Sequence, residues 1–279
     1  MAFENAGCGT LDYLPCRYGK SKLLFRGPRR RLDGVFCAAM GGTETYGKFV
    51  RDPWPALLEA RIGLPVVNFG YLNAGIDVFA HEPQVAEVSR RACLSIIQLM
   101  DAHNMSNRFY AVHPRRNDRL LHASSLMRGI FPEIDFTEFN FTRHMLNALR
   151  LRAPDRYDLL VEELRTAWVA RMGMLLNRVE GRKILLWIGD YTRPSVGVGA
   201  GAEGVPQLLL TRDLVEQVRP NADDIIFVQP SDSARATGVE GMYFGPLEAA
   251  AAAEMPGPWV HEEIAAVLEP AVRAMIPAA

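Results

Sequence analysis

The stretch Phe36-Cys37-Ala38-Ala39-Met40-Gly41-Gly42-Thr43-Glu44-Thr45-Tyr46-Gly47 constrains this chain more than any other. An apolar run meets two adjacent glycines, and a hydroxyl residue follows at once. This pattern predicts a buried strand that ends in a tight turn and hands over to a helix. Such a turn presents Thr43 and several backbone N–H groups above the edge of a sheet. On its own, Thr43 also suits a plain turn or a helix N-cap.

More apolar runs downstream repeat the rhythm. Strands are expected at 34–40, 66–69, 95–100, 183–188 and 224–228. Helices are expected at 53–62, around 81–91, at 154–177, 211–218 and 247–254, and from about 261 to 275. Strands alternating with helices imply a parallel sheet with right-handed crossovers. The fold expectation is a three-layer α/β/α sandwich of about five parallel strands. Ligand-handling residues then lie just past the carboxyl ends of the strands.

We read residues 1–279 as a single α/β domain, with an N-terminal arm at 1–34 and a helical insertion or lid at 119–180. The arm contains a basic segment at 18–31, read either as a solvated arm or short strand wrapped on the domain, or as an anion-binding arm. Its Gly19-Lys20-Ser21 lacks the earlier glycine and the preceding strand of a P-loop. The glycine-rich stretch at 195–204 lacks GxGxxG spacing and reads as a mobile loop.

Composition narrows the function. With a net charge of -1 and 23% charged residues, the chain has no general attraction to nucleic acid or to an anionic membrane. No apolar run reaches transmembrane length, and the N-terminus lacks the basic and apolar regions of a signal peptide, so the default expectation is cytoplasmic. Signal-independent release stays open. Among the four cysteines no pair has CxxC spacing, and no His/Cys cluster reads as a metal site. Cys37 and Cys93 sit in apolar runs, where packing is their expected role. No cofactor is implied.

Four blocks then fall in order. Gly41 to Gly47 follows the first strand, Asn68, Phe69 and Gly70 close the second, Asn104 or Asn107 follows the third, and Pro258-Trp259-Val260-His261 opens the last helix. This order resembles the SGNH, or GDSL-type, hydrolases. The resemblance implies a flavodoxin-like fold and nucleophilic acyl transfer, in which a hydroxyl is activated by a histidine that a carboxylate orients. It maps Thr43 and His261 onto the nucleophile and base, and Gly70 and Asn104 (or Asn107) onto the oxyanion donors, worth about 3 kcal/mol each. The sequence departs from the pattern where the family has Asp-Ser and Asp-x-x-His. Gly42 and Thr43 stand at the first pair, and Pro258 stands three residues before His261. Glu44, Asp190, Asp232 and Glu254 are the candidate replacements for the missing orienting carboxylate.

A further likeness rests on Asn107-Arg108-Phe109-Tyr110, on His113 through Arg119, and on Phe25-Arg26-Gly27-Pro28-Arg29-Arg30. Together these resemble a family of alphaproteobacterial proteins of unknown function. Arg108, His113, Arg115 and Arg116 in that stretch are candidate ligand-binding residues, and the cluster Arg115, Arg116 and Arg119 reads either as a salt-bridged surface or as a site for a sulfate, phosphate or uronate group. Two function classes follow. One is a degenerate SGNH-like module that binds carbohydrate, such as an acidic surface polysaccharide. The other is an active carbohydrate O-acyl esterase or acyltransferase using Thr43 and His261. A structural role in a phage-like particle is the lesser alternative, and assembly as a homo-oligomer is open.

Overall fold

Five short parallel strands form the centre of the computed structural model, which describes residues 11–192 and 209–276. They are β1 (Cys37–Gly41), β2 (Val66–Gly70), β3 (Leu94–Gln98), β6 (Lys183–Ile188) and β7 (Asp224–Val228). Their order in the sheet is β2-β1-β3-β6-β7. That is the doubly wound order in which the direction of winding reverses between β1 and the strand beside it. A separate antiparallel pair, β4 (Tyr110–His113) and β5 (Arg116–Ala123), lies outside the sheet.

Residues of β1, β2 and β3 are fully buried, which is why they read as apolar runs with no alternation. Alternate side chains still go to opposite faces. Ala38 and Met40 of β1 join the larger core, whereas Cys37 and Ala39 join the smaller one. The smaller core is covered by α2 (Trp54–Ile62) and α11 (Pro258–Met275). The larger is covered by α3 (Ile76–Ala80), α4 (Pro83–Arg91), α6 (Thr142–Arg152), α7 (Pro154–Arg178) and α8 (Arg212–Val218). Cys37 and Cys93 are free thiols whose sulfurs lie 3.8 Å apart; Cys8 lies outside the described residues.

The long helix α7 presents Leu160, Leu164, Trp168, Met172 and Leu175 along one stripe, at spacings of three and four. Each such side chain contributes about 2 kcal/mol by leaving water. Trp168 is wholly buried, and its indole N–H donates to the Met100 carbonyl at 2.8 Å. That bond ties the insertion to the chain just beyond β3. Between β3 and β6 the chain forms the β4–β5 hairpin, α5 (Ser125–Ile130), α6 and α7.

The N-terminal segment wraps on the domain. Cys16 and Phe25 form an antiparallel bridge, and Tyr18, Leu23 and Phe25 are buried. The Phe25 and Phe69 rings meet edge to face at 5.0 Å. Arg26 is buried too, and its guanidinium donates to main-chain carbonyls of Tyr46, Gly47, Val50 and Arg51. Its partners are backbone oxygens, so this arginine serves structure and leaves no fork for an anion. The glycine-rich stretch at 195–204 lies outside the described residues.

Candidate functional site

The turn after β1 has the expected strand-to-helix form. After β1 the chain enters a single helical turn, α1 (Thr43–Tyr46). Gln98, at the end of β3, holds that turn in place. Its Oε1 accepts from the Gly42 N–H at 3.1 Å and from the Thr45 hydroxyl at 2.5 Å. Gly41 makes this possible, because a Cβ there would fall 2.3 Å from Gln98 Oε1 and 2.2 Å from Thr45 Oγ1. The Gln98 Nε2 then donates to Glu44 Oε2 at 2.9 Å, and the Tyr191 hydroxyl donates to Glu44 Oε1 at 2.8 Å. Both oxygens of Glu44 are thus held by named donors. Burial, together with the nearby Glu44 charge, raises the Tyr191 pKa well above that of a free phenol, so this donor stays protonated.

These residues line a cleft of about 850 Å³ above the carboxyl ends of β1, β3 and β6. It sits at the reversal of strand order, where doubly wound sheets open a crevice. Asn73, Asp118, Phe141 and Arg143 bound one side; Asp101, His103 and Asn104 follow β3; Asp190, Tyr191 and Thr192 follow β6. Thr43 Oγ1 accepts from the Asn73 N–H at 2.9 Å and lies 3.3 Å from Asn73 Oδ1, to which it donates. Asn73 Nδ2 passes the row on to Asp118 Oδ2 at 3.2 Å. Burial raises the Asp118 pKa, against the opposing pull of Arg119 and Arg116. Its Oδ1 is buried without a partner among the described residues.

The cleft is acidic. Glu44, Asp101, Asp118, Asp190 and Glu254 line it, and Arg143, its one arginine among the described residues, is bonded to Glu254 at 2.8 Å. His103 Nδ1 lies 3.0 Å from Asp101 Oδ2, yet off the N–H axis, so the pair is close but not directionally hydrogen-bonded. Among the described residues no group of three or more His, Cys, Asp or Glu side chains is arranged to hold a metal ion.

The remaining residues singled out from the sequence are distributed differently. His261 does not line the cleft. It is completely buried on α11, where its Nδ1 accepts the Trp54 N–H at 3.1 Å and its Nε2 has no partner among the described residues. Thr43 and His261 therefore form no nucleophile–base pair. Nor does Glu44, Glu254, Asp190 or Asp232 orient the ring: the first three line the cleft, and Asp232 pairs with Arg235. The Gly70 N–H is taken by Asn68 Oδ1 at 2.7 Å. Asn104 lines the cleft, and its Oδ1 accepts from Thr142 Oγ1 at 3.0 Å. Asn107 closes a local turn by accepting from the Phe109 and Tyr110 N–H groups. Arg108 is bound to the buried Glu163. His113 Nδ1 accepts from the backbone of Arg115 and Arg116, which holds the hairpin turn. The Arg115 side chain is exposed, and Arg116 borders a second, smaller hollow.

Gln98 and Tyr191 were not singled out from the sequence. A glutamine inside Ser95-Ile96-Ile97-Gln98-Leu99-Met100 is a polar group in a buried strand, and it needs a partner there. That was a readable signal. Tyr191 carries none, because its role depends on where the end of β6 meets the turn after β1.

Desolvation pushes the His261 pKa down to about 3. The ring is neutral when folded but takes a proton near pH 6.5 when unfolded, so the unfolded state binds more protons below that pH. Stability is therefore lost as pH falls from 6.5 towards 3. We expect urea unfolding at pH 5 to show a loss of about 2 kcal/mol relative to pH 7 that is missing in His261→Gln. Equal pH slopes for the two proteins would refute this assignment.

Fold and site together define a doubly wound α/β protein with a polar, acidic cleft at its switch point. The chain belongs to the family described as Domain of unknown function (DUF6473), whose model matches residues 1–276. No curated protein and no solved structure matches it. Among the described residues no helix is long and apolar enough to cross a membrane.

Proposed function

We propose that this protein is a degenerate SGNH-like module that binds carbohydrate in the cleft and does not turn it over through Thr43 and His261. The observation that carries this reading is the composition of the cleft. Carboxylates and side-chain amides are held in fixed orientations, and Phe141 stands at the edge. Oriented acceptors and amides suit the hydroxyls of a sugar, and an aromatic face suits its C–H surface. The order of the blocks after β1, β2 and β3 and on α11 supports the SGNH-like ancestry. The acidic lining favours neutral sugar units inside the cleft itself.

The test is calorimetric titration with neutral trisaccharides (maltotriose, cellotriose and galactotriose). At least one is expected to bind, and Asn104→Ala and Glu44→Gln are each expected to weaken it about tenfold, as loss of one good polar contact does. Absence of binding across the panel counts against the reading.

A second reading, a hydrolase, draws on the closeness of His103 and Asp101 within the cleft. Turnover of p-nitrophenyl acetate separates the two. The binding module predicts no turnover above background, and Thr43→Ala, His103→Gln and wild type should behave alike. Activity lost in Thr43→Ala would sink the pure-binder reading. Activity lost in His103→Gln alone would favour a water-activating base.

A further inference from the structure

Beside the acidic cleft lies a hollow of about 520 Å³, and the two share a wall of Asn73, Asp118 and Phe141. The lining of the hollow is different in kind. Tyr46, Tyr71 and Leu72 give it aromatic and apolar surface, and Arg116 and Arg119 bring cations from β5. Phe141 is 43% and Leu72 37% exposed, so this surface is open to a ligand. The Arg119 guanidinium sits 5.6 Å from the centre of the Phe141 ring. Most arginines of this protein are spent on carboxylates or carbonyls; Arg108, Arg143 and Arg156 all hold glutamates. Arg116 and Arg119 are in no ion pair within 4 Å among the described residues. Both act electrostatically on Asp118, whose Oδ2 is already bonded to Asn73.

We propose that this hollow is a subsite for the carboxylate of a hexuronate unit, in a glycan whose neutral units occupy the neighbouring cleft. The inference rests on the carbohydrate reading given above and deepens it. An arginine fork matches a carboxylate with two parallel hydrogen bonds, and the tyrosine and phenylalanine faces match the C–H face of a pyranose. The shared wall lets one oligosaccharide span both spaces. The charges also orient it: Glu44, Asp101, Asp190 and Glu254 line the cleft alone and repel an anionic unit, whereas the hollow sets Arg116 and Arg119 against the single carboxylate of Asp118 in the shared wall.

The experiment titrates the full chain with aldotriouronic acid, one glucuronate on two neutral xylose units, and with its methyl ester, which removes the charge but keeps the shape. The acid is expected to bind about tenfold tighter in about 50 mM salt, and this preference should shrink at about 500 mM. The double variant Arg116→Gln/Arg119→Gln should bind both forms alike. Both side chains are exposed, so its circular dichroism and melting temperature should match wild type. Equal binding of acid and ester by wild type leaves the cleft reading standing and overturns the subsite. A preference that persists in the double variant also overturns it. If neither form binds and the neutral panel fails as well, the carbohydrate reading fails and the subsite falls with it.

Discussion

Replacing Arg26 with methionine is expected to lower stability by about 4 kcal/mol, read as a shifted urea midpoint at unchanged slope. Arg26 is 5% exposed, and its guanidinium bonds carbonyls of Tyr46 (3.3 Å), Gly47 (2.7 Å), Val50 (2.8 Å) and Arg51 (2.7 Å). It also packs against the Tyr13 ring at 4.9 Å and the Tyr46 ring at 5.8 Å. Methionine fills much of the volume but donates nothing, so the carbonyls it deserts lose their donor. A charge-assisted bond contributes roughly 1.5–3 kcal/mol, and a deserted buried acceptor costs about 1–3 kcal/mol. Four such bonds on one group do not add, which is why the expected loss is near that of two. Arg26→Lys should recover only part of it, because a compact ammonium cannot reach four carbonyls along a planar fork. A loss below about 1 kcal/mol in Arg26→Met would contradict this account.

Arg26 also shows where sequence reasoning reaches and where it stops. Inside a basic segment it was indistinguishable from a solvated or anion-binding arginine, because its partners are backbone oxygens some twenty residues away. Patterns of side chains do not register such partners. By contrast, β6 was legible to the residue, and α7 to within one, because deep burial leaves a continuous apolar run or a clean helical stripe; β7 was legible to the residue as well, since Ile225-Ile226-Phe227-Val228 is an unbroken apolar run although only Val228 is buried. The β4–β5 hairpin was not legible. Its register shifts at Ala111 and Val112, which breaks the two-residue period a strand would otherwise show. The short helix α3 was not expected from the sequence, since five residues carry too few turns for a helical pattern. In the site, the turn at Gly41–Thr43 was legible because it is local. The fate of His261 was not. Whether a histidine in the first turn of α11 faces the cleft or the Trp54 backbone depends on how α2 and α11 pack, and no local residue pattern encodes that.

The second large effect is expected from Gly70→Ala, which should destabilise the protein by roughly 3 kcal/mol and disorder the wall of the cleft that α1 forms. Gly70 pairs in register with Gly41 at the ends of β2 and β1. A Cβ on Gly70 would lie 2.1 Å from the Tyr46 nitrogen and 2.5 Å from both the Thr45 carbonyl carbon and the Tyr46 Cα. These are backbone atoms of α1, so no side-chain rotation relieves the clash. The turn cannot simply retreat either. Asn68 Nδ2 holds the Thr45 carbonyl at 2.8 Å, Arg26 holds those of Tyr46 and Gly47, and Gln98 holds the Thr45 hydroxyl. A shift of about 1 Å would strain all of them, and it would pull Thr43 from Asn73 and Glu44 from Tyr191. Gly129→Ala makes the control. It lies in α5, its Cβ would meet nothing within 4 Å, and it should gain up to about 1 kcal/mol in helix propensity. The experiment also separates two explanations for glycine at position 70. An oxyanion-donor role needs only the N–H, which alanine keeps, so that role predicts a stable Gly70→Ala protein. The close approach of α1 predicts the reverse. A Gly70→Ala protein within about 1 kcal/mol of wild type would remove the packing explanation.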